Sequence, residues 1–315
     1  MKLNQIGEFK LIEKLVSLLP IDDKDVVVGF GDDCACINVN GKLLLFTNDI
    51  QVENRHFIKE LQKPENIGWK LISVNVSDVL ACGGIPRWSQ ISLGLPKNLE
   101  YSFIEEVYIG IKKALDYYGF YITGGNVSSS NEIILDLFLV GETEKFLSRK
   151  DAQEGDYIYI NGFTGLARAG LELLLMEKKE YEDFEKELIR AFTKPTVDLS
   201  LKSLLQKNAK ACIDISDGLV ADLGHISKQS DKKIVLFKEK LPVNTNLKKY
   251  CKKYSKNIYD YILYGGEDYV IAFSCDKELK HKNIYKIGKV EQGKGIYLKE
   301  DKKITKLKVK GFEHL

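Results

Sequence analysis

Long apolar runs are missing from this sequence. No stretch approaches the ~20 residues that a membrane-crossing helix needs. The segment from Met1 to Lys10 lacks the basic start and apolar middle of a secretory signal. The expected compartment is therefore the cytoplasm. Cysteine is sparse and never forms a Cys-x-x-Cys pair, which argues against a zinc ribbon or a disulfide framework. Cys34, Cys36, Cys82, Cys212, Cys251 and Cys275 read as buried structural thiols. An excess of one charge is also missing: 47 basic residues face 45 acidic ones, for a formal net charge of +2. That balance excludes general electrostatic attachment to nucleic acid.

The familiar nucleotide signatures are absent too. There is no Walker A loop, and no protein-kinase catalytic loop or DFG triplet. His56, His225, His281 and His314 do not have the spacing of a zinc helix. Gly29-Phe30-Gly31 begins like a dinucleotide fingerprint, but Asp32-Asp33 follows, and two carboxylates there repel a pyrophosphate unless metal ions intervene. Any ATP site must use another design.

What is present fills two domains comfortably, since 315 residues can bury a sizeable core. Helical spacing of apolar residues predicts helices over 9–19, from 64 to the Gly83-Gly84 pair, and over 103–118, 166–176, 197–205 and 219–227. Strands are expected at 26–28, 42–46, 86–95, 120–123, 133–140, 157–160, 211–215 and 269–273. The highly charged stretch 177–187 reads as a surface loop or an exposed helix. Helix and strand alternate, so the fold class is α/β or α+β. A polar stretch at 141–155 places the boundary, giving domains 1–145 and 146–315.

The acidic residues gather at strand ends and glycine turns: Asp32-Asp33, Asp49, Asp78, Asp214, Asp217, Asp222 and Glu267-Asp268. Turn carboxylates ordinarily cap helices or bond their own backbone, and Asp222 is expected to do so. Asp78 lies on a helix among apolar neighbours, where a carboxylate needs a partner. Mg²⁺ takes carboxylate oxygens together with substrate phosphates. Glycines let backbone N–H groups approach phosphate. Carboxylates interleaved with glycines therefore suit a metal–nucleotide site for phosphoryl transfer.

Several blocks carry a resemblance. They are Gly29-Phe30-Gly31-Asp32-Asp33-Cys34-Ala35, Thr47-Asn48-Asp49 with Val52-Glu53 and His56-Phe57, and Asn75-Val76-Ser77-Asp78. Thr123-Gly124-Gly125-Asn126, Asp214-Ile215-Ser216-Asp217-Gly218-Leu219 with Asp222-Leu223-Gly224-His225, Gly265-Gly266-Glu267-Asp268-Tyr269 and Lys310-Gly311-Phe312-Glu313-His314 follow. In this order they resemble the motifs of the thiamine-monophosphate kinase family, within the aminoimidazole-ribonucleotide synthetase superfamily. The reactive Cys that other branches carry in an N-terminal glycine-rich loop or at the C-terminus is absent.

The resemblance implies an N-terminal ATP-binding domain of the aminoimidazole-ribonucleotide synthetase type, which pairs across a homodimer, and a C-terminal α/β domain. It implies several Mg²⁺ ions, ATP as co-substrate, and K⁺ as a candidate monovalent partner. By position, Asp33, Asp49, Asp78, Asp214 and Asp217 would be metal ligands, with Thr47 and Asn48 adding oxygens. Gly125, Asn126, Arg149 and Ser216 would contact ATP. His56, Glu267 and Phe312 would contact thiamine monophosphate. The implied reaction is direct in-line transfer of the γ-phosphate, with no covalent nucleophile. Neither nucleic acid nor membrane is an expected partner.

Asn126 departs from the family pattern, which has Asp at that metal-ligand position. An Asn carbonyl still binds Mg²⁺ but brings no charge. Two alternatives follow: a related ATP-using enzyme with a changed phosphorylated substrate, and a non-catalytic nucleotide-binding homologue.

Overall fold

The computed structural model describes residues 5–309. The chain opens with α1 (Glu8–Val16), then β1 (Val26–Val28), β2 (Ala35–Val39) and β3 (Lys42–Val52). There follow α2 (Pro64–Ala81), β4 (Ile85–Leu95), α3 (Tyr101–Tyr118), β5 (Tyr121–Ser129) and β6 (Ile134–Thr143). These strands form one sheet in the order β1-β2-β3-β6-β4-β5. β3 and β6 pair antiparallel from Leu43 opposite Thr143 to Val52 opposite Ile134. Side chains alternate along a strand, so Leu45, Thr47 and Gln51 turn to the covered face of β3 while Asn48 and Ile50 turn to the open one.

The covered face belongs to α2. Almost every residue from Ile67 to Ala81 is buried, the polar Lys70, Ser73, Asn75 and Ser77 included. Pro64 starts it at a position where the missing N–H costs nothing. α3 lies close against it because two glycines let the backbones meet. A Cβ on Gly68 would come 2.0 Å from the Val107 carbonyl oxygen, and one on Gly110 1.9 Å from that of Glu65.

The second half continues with β7 (Tyr157–Ile160), α4 (Leu166–Leu174), α5 (Asp183–Thr193), α6 (Lys202–Asn208), β8 (Cys212–Asp214), α7 (Leu219–Gln229) and β9 (Lys233–Phe237). It ends with α8 (Thr245–Lys253), α9 (Ile258–Tyr264), β10 (Ile271–Cys275), β11 (Tyr285–Glu291), β12 (Gly295–Glu300) and β13 (Lys303–Lys306). Seven strands order as β13-β12-β9-β11-β7-β10-β8. All of these pairs are antiparallel except β9 with β12. One apolar core runs through both halves, joining Leu71 and Leu80 of α2 to Tyr159 and Phe273 of the second sheet. A second core lies wholly in the C-terminal half. α2 thus sits between the two sheets.

Several elements differ from expectation. α1 stops at Val16, with Ser17 closing it through bonds to Glu13 and Leu15. β3 runs on to Val52, and β5 continues across Gly124-Gly125. β2 went unread although Asn40-Gly41, both at positive φ, form its hairpin turn with β3. The charged stretch 177–187 divides into a loop and the start of α5, where Glu182 and Glu185 make a capping box. Glu185 is buried, held by Lys178, Lys253 and Tyr254. The strand expected at 269–273 starts at Ile271, because Tyr269 adopts a left-handed φ of 50°. Among the described residues no helix is long and apolar enough to cross a membrane. All six cysteines are buried and unbridged.

Candidate active site

One turn, two strands and one helix converge where the halves meet. The Gly29–Asp33 turn brings Asp33, β3 brings Thr47 and Asp49, α2 brings Asp78, and the end of β8 brings Asp214. Carboxylate oxygens of Asp33, Asp78 and Asp214 lie within 4.8 Å of one another. The Thr47 hydroxyl donates to Asp78 at 2.6 Å, and the Ser77 hydroxyl to Asp214 at 2.8 Å. The Asp49 N–H donates to the Asn75 side-chain carbonyl at 3.1 Å.

Such crowding is costly. Burial pushes Asp33, Asp49, Asp78 and Asp214 above the usual carboxylate range, and neighbouring carboxylates push further. Arg149 works in the opposite direction. Its guanidinium bonds Asp33 and lies 3.7 Å from Asp32. Asp32 also accepts the Ser148 hydroxyl at 2.8 Å and the Arg149 N–H at 3.1 Å, yet burial and Asp33 still raise it to about 6. One Asp33 oxygen, Oδ2, is buried with no hydrogen-bond partner. Hard carboxylate and hydroxyl oxygens, an orphaned acceptor and a surplus of negative charge fit a divalent cation of the Mg²⁺ type.

The cluster opens onto a cavity of about 870 Å³. Asp49, Asp78, Asp214, Ser216 and Asp217 line it. Its wall also includes His56, Val74, Leu171, Phe192, Glu267 and Tyr269. The Val52 N–H donates to His56 Nδ1 at 3.0 Å, so the proton of the neutral ring sits on Nε2. Glu267 and Tyr269 both hold positive φ, at 63° and 50°. Their N–H groups donate to the Ser216 and Ile215 carbonyls at 2.6 and 2.8 Å. Between them Asp268 accepts the Gly165 and Ala167 N–H groups, capping α4. Asp222 caps α7, accepting the Asp217 and Gly218 N–H groups.

Three expected site residues lie elsewhere. Asn48 faces the open side of the sheet, where its amide donates to Asp136 at 3.1 Å. Strand alternation separates it from Thr47 and Asp49. Gly125 and Asn126 lie on β5, the edge strand, three strands from β3 and so roughly 14 Å away across the sheet. Asn126 pairs with Ser92 on the open face, and its side chain accepts the Val127 N–H. A Cβ on Gly125 would meet the Ile91 carbonyl oxygen at 1.9 Å, so packing alone demands glycine there. Within one chain the fold builds no site containing Asn126 beside Asp78. Phe312 lies outside the described residues.

Comparison with known proteins agrees with this architecture. The family model for AIR synthase related protein, N-terminal domain, matches residues 31–143. A thiamine-monophosphate kinase of Aquifex aeolicus is 46% identical over 316 residues, covering 100% of both chains. One of Pyrococcus horikoshii is 32% identical, covering 90% of each. The chain belongs to the thiamine-monophosphate kinase family. A solved structure described as AaThiL complexed with AMPPCP and TMP superposes with a TM-score of 0.93 at 46% identity, covering 100% of this chain and 99% of that one.

Within this family fold, four polar residues at the site escaped the motif reading as participants. Asn75 and Ser77 stand inside the quoted Asn75–Asp78 block, but their bonds to Asp49 and Asp214 need the tertiary fold. Arg168, at the start of α4, lines the cavity and stacks on Tyr261. Lys70 is 1% exposed on α2 and carries no local sequence signal. Its spacing of eight residues from Asp78 places both on one helix face.

Proposed function

We propose that this chain transfers the γ-phosphate of ATP to thiamine monophosphate, yielding thiamine diphosphate and ADP. The observation that carries this reading is the buried acid cluster opening onto a cavity large enough for a nucleotide-sized ligand. Full-length similarity to thiamine-monophosphate kinases supports it.

Asp33, Asp49, Asp78, Asp214 and Asp217, with the Thr47 hydroxyl, would hold Mg²⁺. Bound there, the ions neutralise the phosphate oxygens. Arg149 and Ser216 are assigned to the ATP phosphates. Ser77 holds the Asp214 carboxylate, Asn75 the Asp49 backbone, and Asp32 the Arg149 guanidinium that bonds Asp33. His56 and Glu267 are assigned to thiamine monophosphate. A carboxylate and an imidazole beside apolar Val74 and Phe192 suit a cationic ring with polar substituents. The attacking phosphate oxygen is anionic near neutral pH, so no side chain need remove a proton. An oxygen–phosphorus bond forms at the γ-phosphate as the bond to ADP breaks. Alignment and charge neutralisation supply the rate.

We assign the assembly as a homodimer through the open sheet face. Ile50, Trp88, Tyr121 and Phe138 are all exposed there, a cluster of apolar side chains that a monomer seldom leaves bare. Gly125 and Asn126 belong to the same sheet, so a second copy is the route by which they would reach a nucleotide. Six free thiols suit the reducing cytoplasm. The test is ADP release from Mg-ATP with thiamine monophosphate as acceptor, and its loss on chelation of the metal. Unchanged turnover after chelation would contradict the metal assignment.

A further inference from the structure

Lys70 is the one basic side chain on α2 whose ammonium is sealed inside the protein, with 1% exposure. Burying an ammonium is expensive unless partners compensate. Three surround it, and each belongs to a cavity-lining residue. Its Nζ donates to Glu267 Oε1 at 2.8 Å and to the His56 carbonyl at 3.4 Å, and sits 4.1 Å from the centre of the Phe192 ring. Lys70 itself lies behind the wall rather than in it. Two of these partners come from the C-terminal half and one from the N-terminal half.

Glu267 is held from two other directions. Its backbone occupies the left-handed region at 63°, a conformation that a non-glycine residue holds only where surroundings impose it. Its N–H is bonded to Ser216. Lys70 takes one carboxylate oxygen and leaves the other for a ligand. Lys70, Val74 and Asp78 follow one another at four-residue spacing, so the helix that carries a cluster carboxylate also anchors Glu267 in the cavity wall.

We infer that Lys70 is a positioning residue for the substrate. It orients the Glu267 carboxylate, and with it the His56 and Phe192 wall, toward bound thiamine monophosphate. This rests on the functional reading above. A plain interdomain ion pair would act differently. Replacing it would alter stability, and ATP and thiamine monophosphate would suffer alike.

The experiment is a double-mutant cycle on the full chain, reading KM for each substrate, kcat and Tm in Lys70→Met, Lys70→Arg, Glu267→Gln and Lys70→Met/Glu267→Gln. The expected result for Lys70→Met is a rise in KM for thiamine monophosphate of about tenfold or more, as for other supporting residues, with KM for ATP within about twofold. Lys70→Arg recovers part of that loss. The double variant is no worse than Glu267→Gln alone, because Lys70 acts through that carboxylate. Should Lys70→Met fail to fold, Lys70→Gln, which also removes the charge, runs the same cycle with the same criterion. Additive losses in the cycle, or parallel rises in both KM values, would overturn the positioning role. So would an unchanged KM beside normal turnover. Failure of the unmodified protein to use thiamine monophosphate would instead overturn the functional reading, and this inference with it.

Discussion

Replacing Asp78 or Asp214 by Asn separates catalysis from stability. Each carboxylate is crowded by others, so its charge opposes folding, while the proposed chemistry requires it. Asp78→Asn should lower kcat by about 10²-fold or more and leave Tm at pH 7 unchanged or raised; steady-state kinetics and thermal melting read both. A fall in Tm with kcat intact would reverse the assignment. Such residues were legible because several carboxylates interrupt apolar segments at glycine turns. Asn48 was misplaced because a three-residue motif on a strand cannot share one face. Lys70 was invisible because a lysine in a helix reads as solvated until the partner surface is known.

At the scale of elements, α4 depends on a cap from a distant turn. Burial raises the Asp268 carboxyl to about 7 although backbone N–H groups favour its charge. The folded pKa lies above the unfolded one, so this group's contribution is complete below about pH 4 and is lost as pH rises through 7. Asp268→Asn should flatten the fall of Tm between about pH 4 and 7, a change on the order of 1–2 kcal/mol after allowing for partial solvent access. An unaltered Tm–pH curve would remove Asp268 as its source. The α2–α3 crossing gives a second case. Gly110→Ala drives a methyl into the Glu65 carbonyl and should cost about 1–3 kcal/mol, read by denaturant unfolding. α2 and α3 themselves were legible from apolar spacing, Pro64 and Gly119. β2, β9 and β11–β13 were not, since short strands in a lysine-rich sequence give little alternation. β5 was cut short at Gly124-Gly125, where glycine signals close packing against β4 rather than a turn.

For the whole molecule, the open sheet face and the remote Asn126 make one account. If the dimer forms there, Phe138→Glu should yield a monomer by light scattering and lose activity with it. A monomer of full activity would contradict the shared arrangement. Asn126→Asp restores a carboxylate and should lower the Mg²⁺ concentration needed for half-maximal rate. The alternation of helix and strand announced the class from sequence, and the ordered motifs announced the family. The continuous core joining α2 to the second sheet could not be read, because it depends on residues far apart in the chain.

The central claim is tested most directly by incubating the protein with Mg-ATP and thiamine monophosphate, with thiamine as control acceptor, and separating the products by fluorescence after oxidation. The account predicts thiamine diphosphate and ADP in equal amounts from the monophosphate and neither from thiamine. ATP binding at saturating Mg²⁺ with no thiamine diphosphate formed would contradict it.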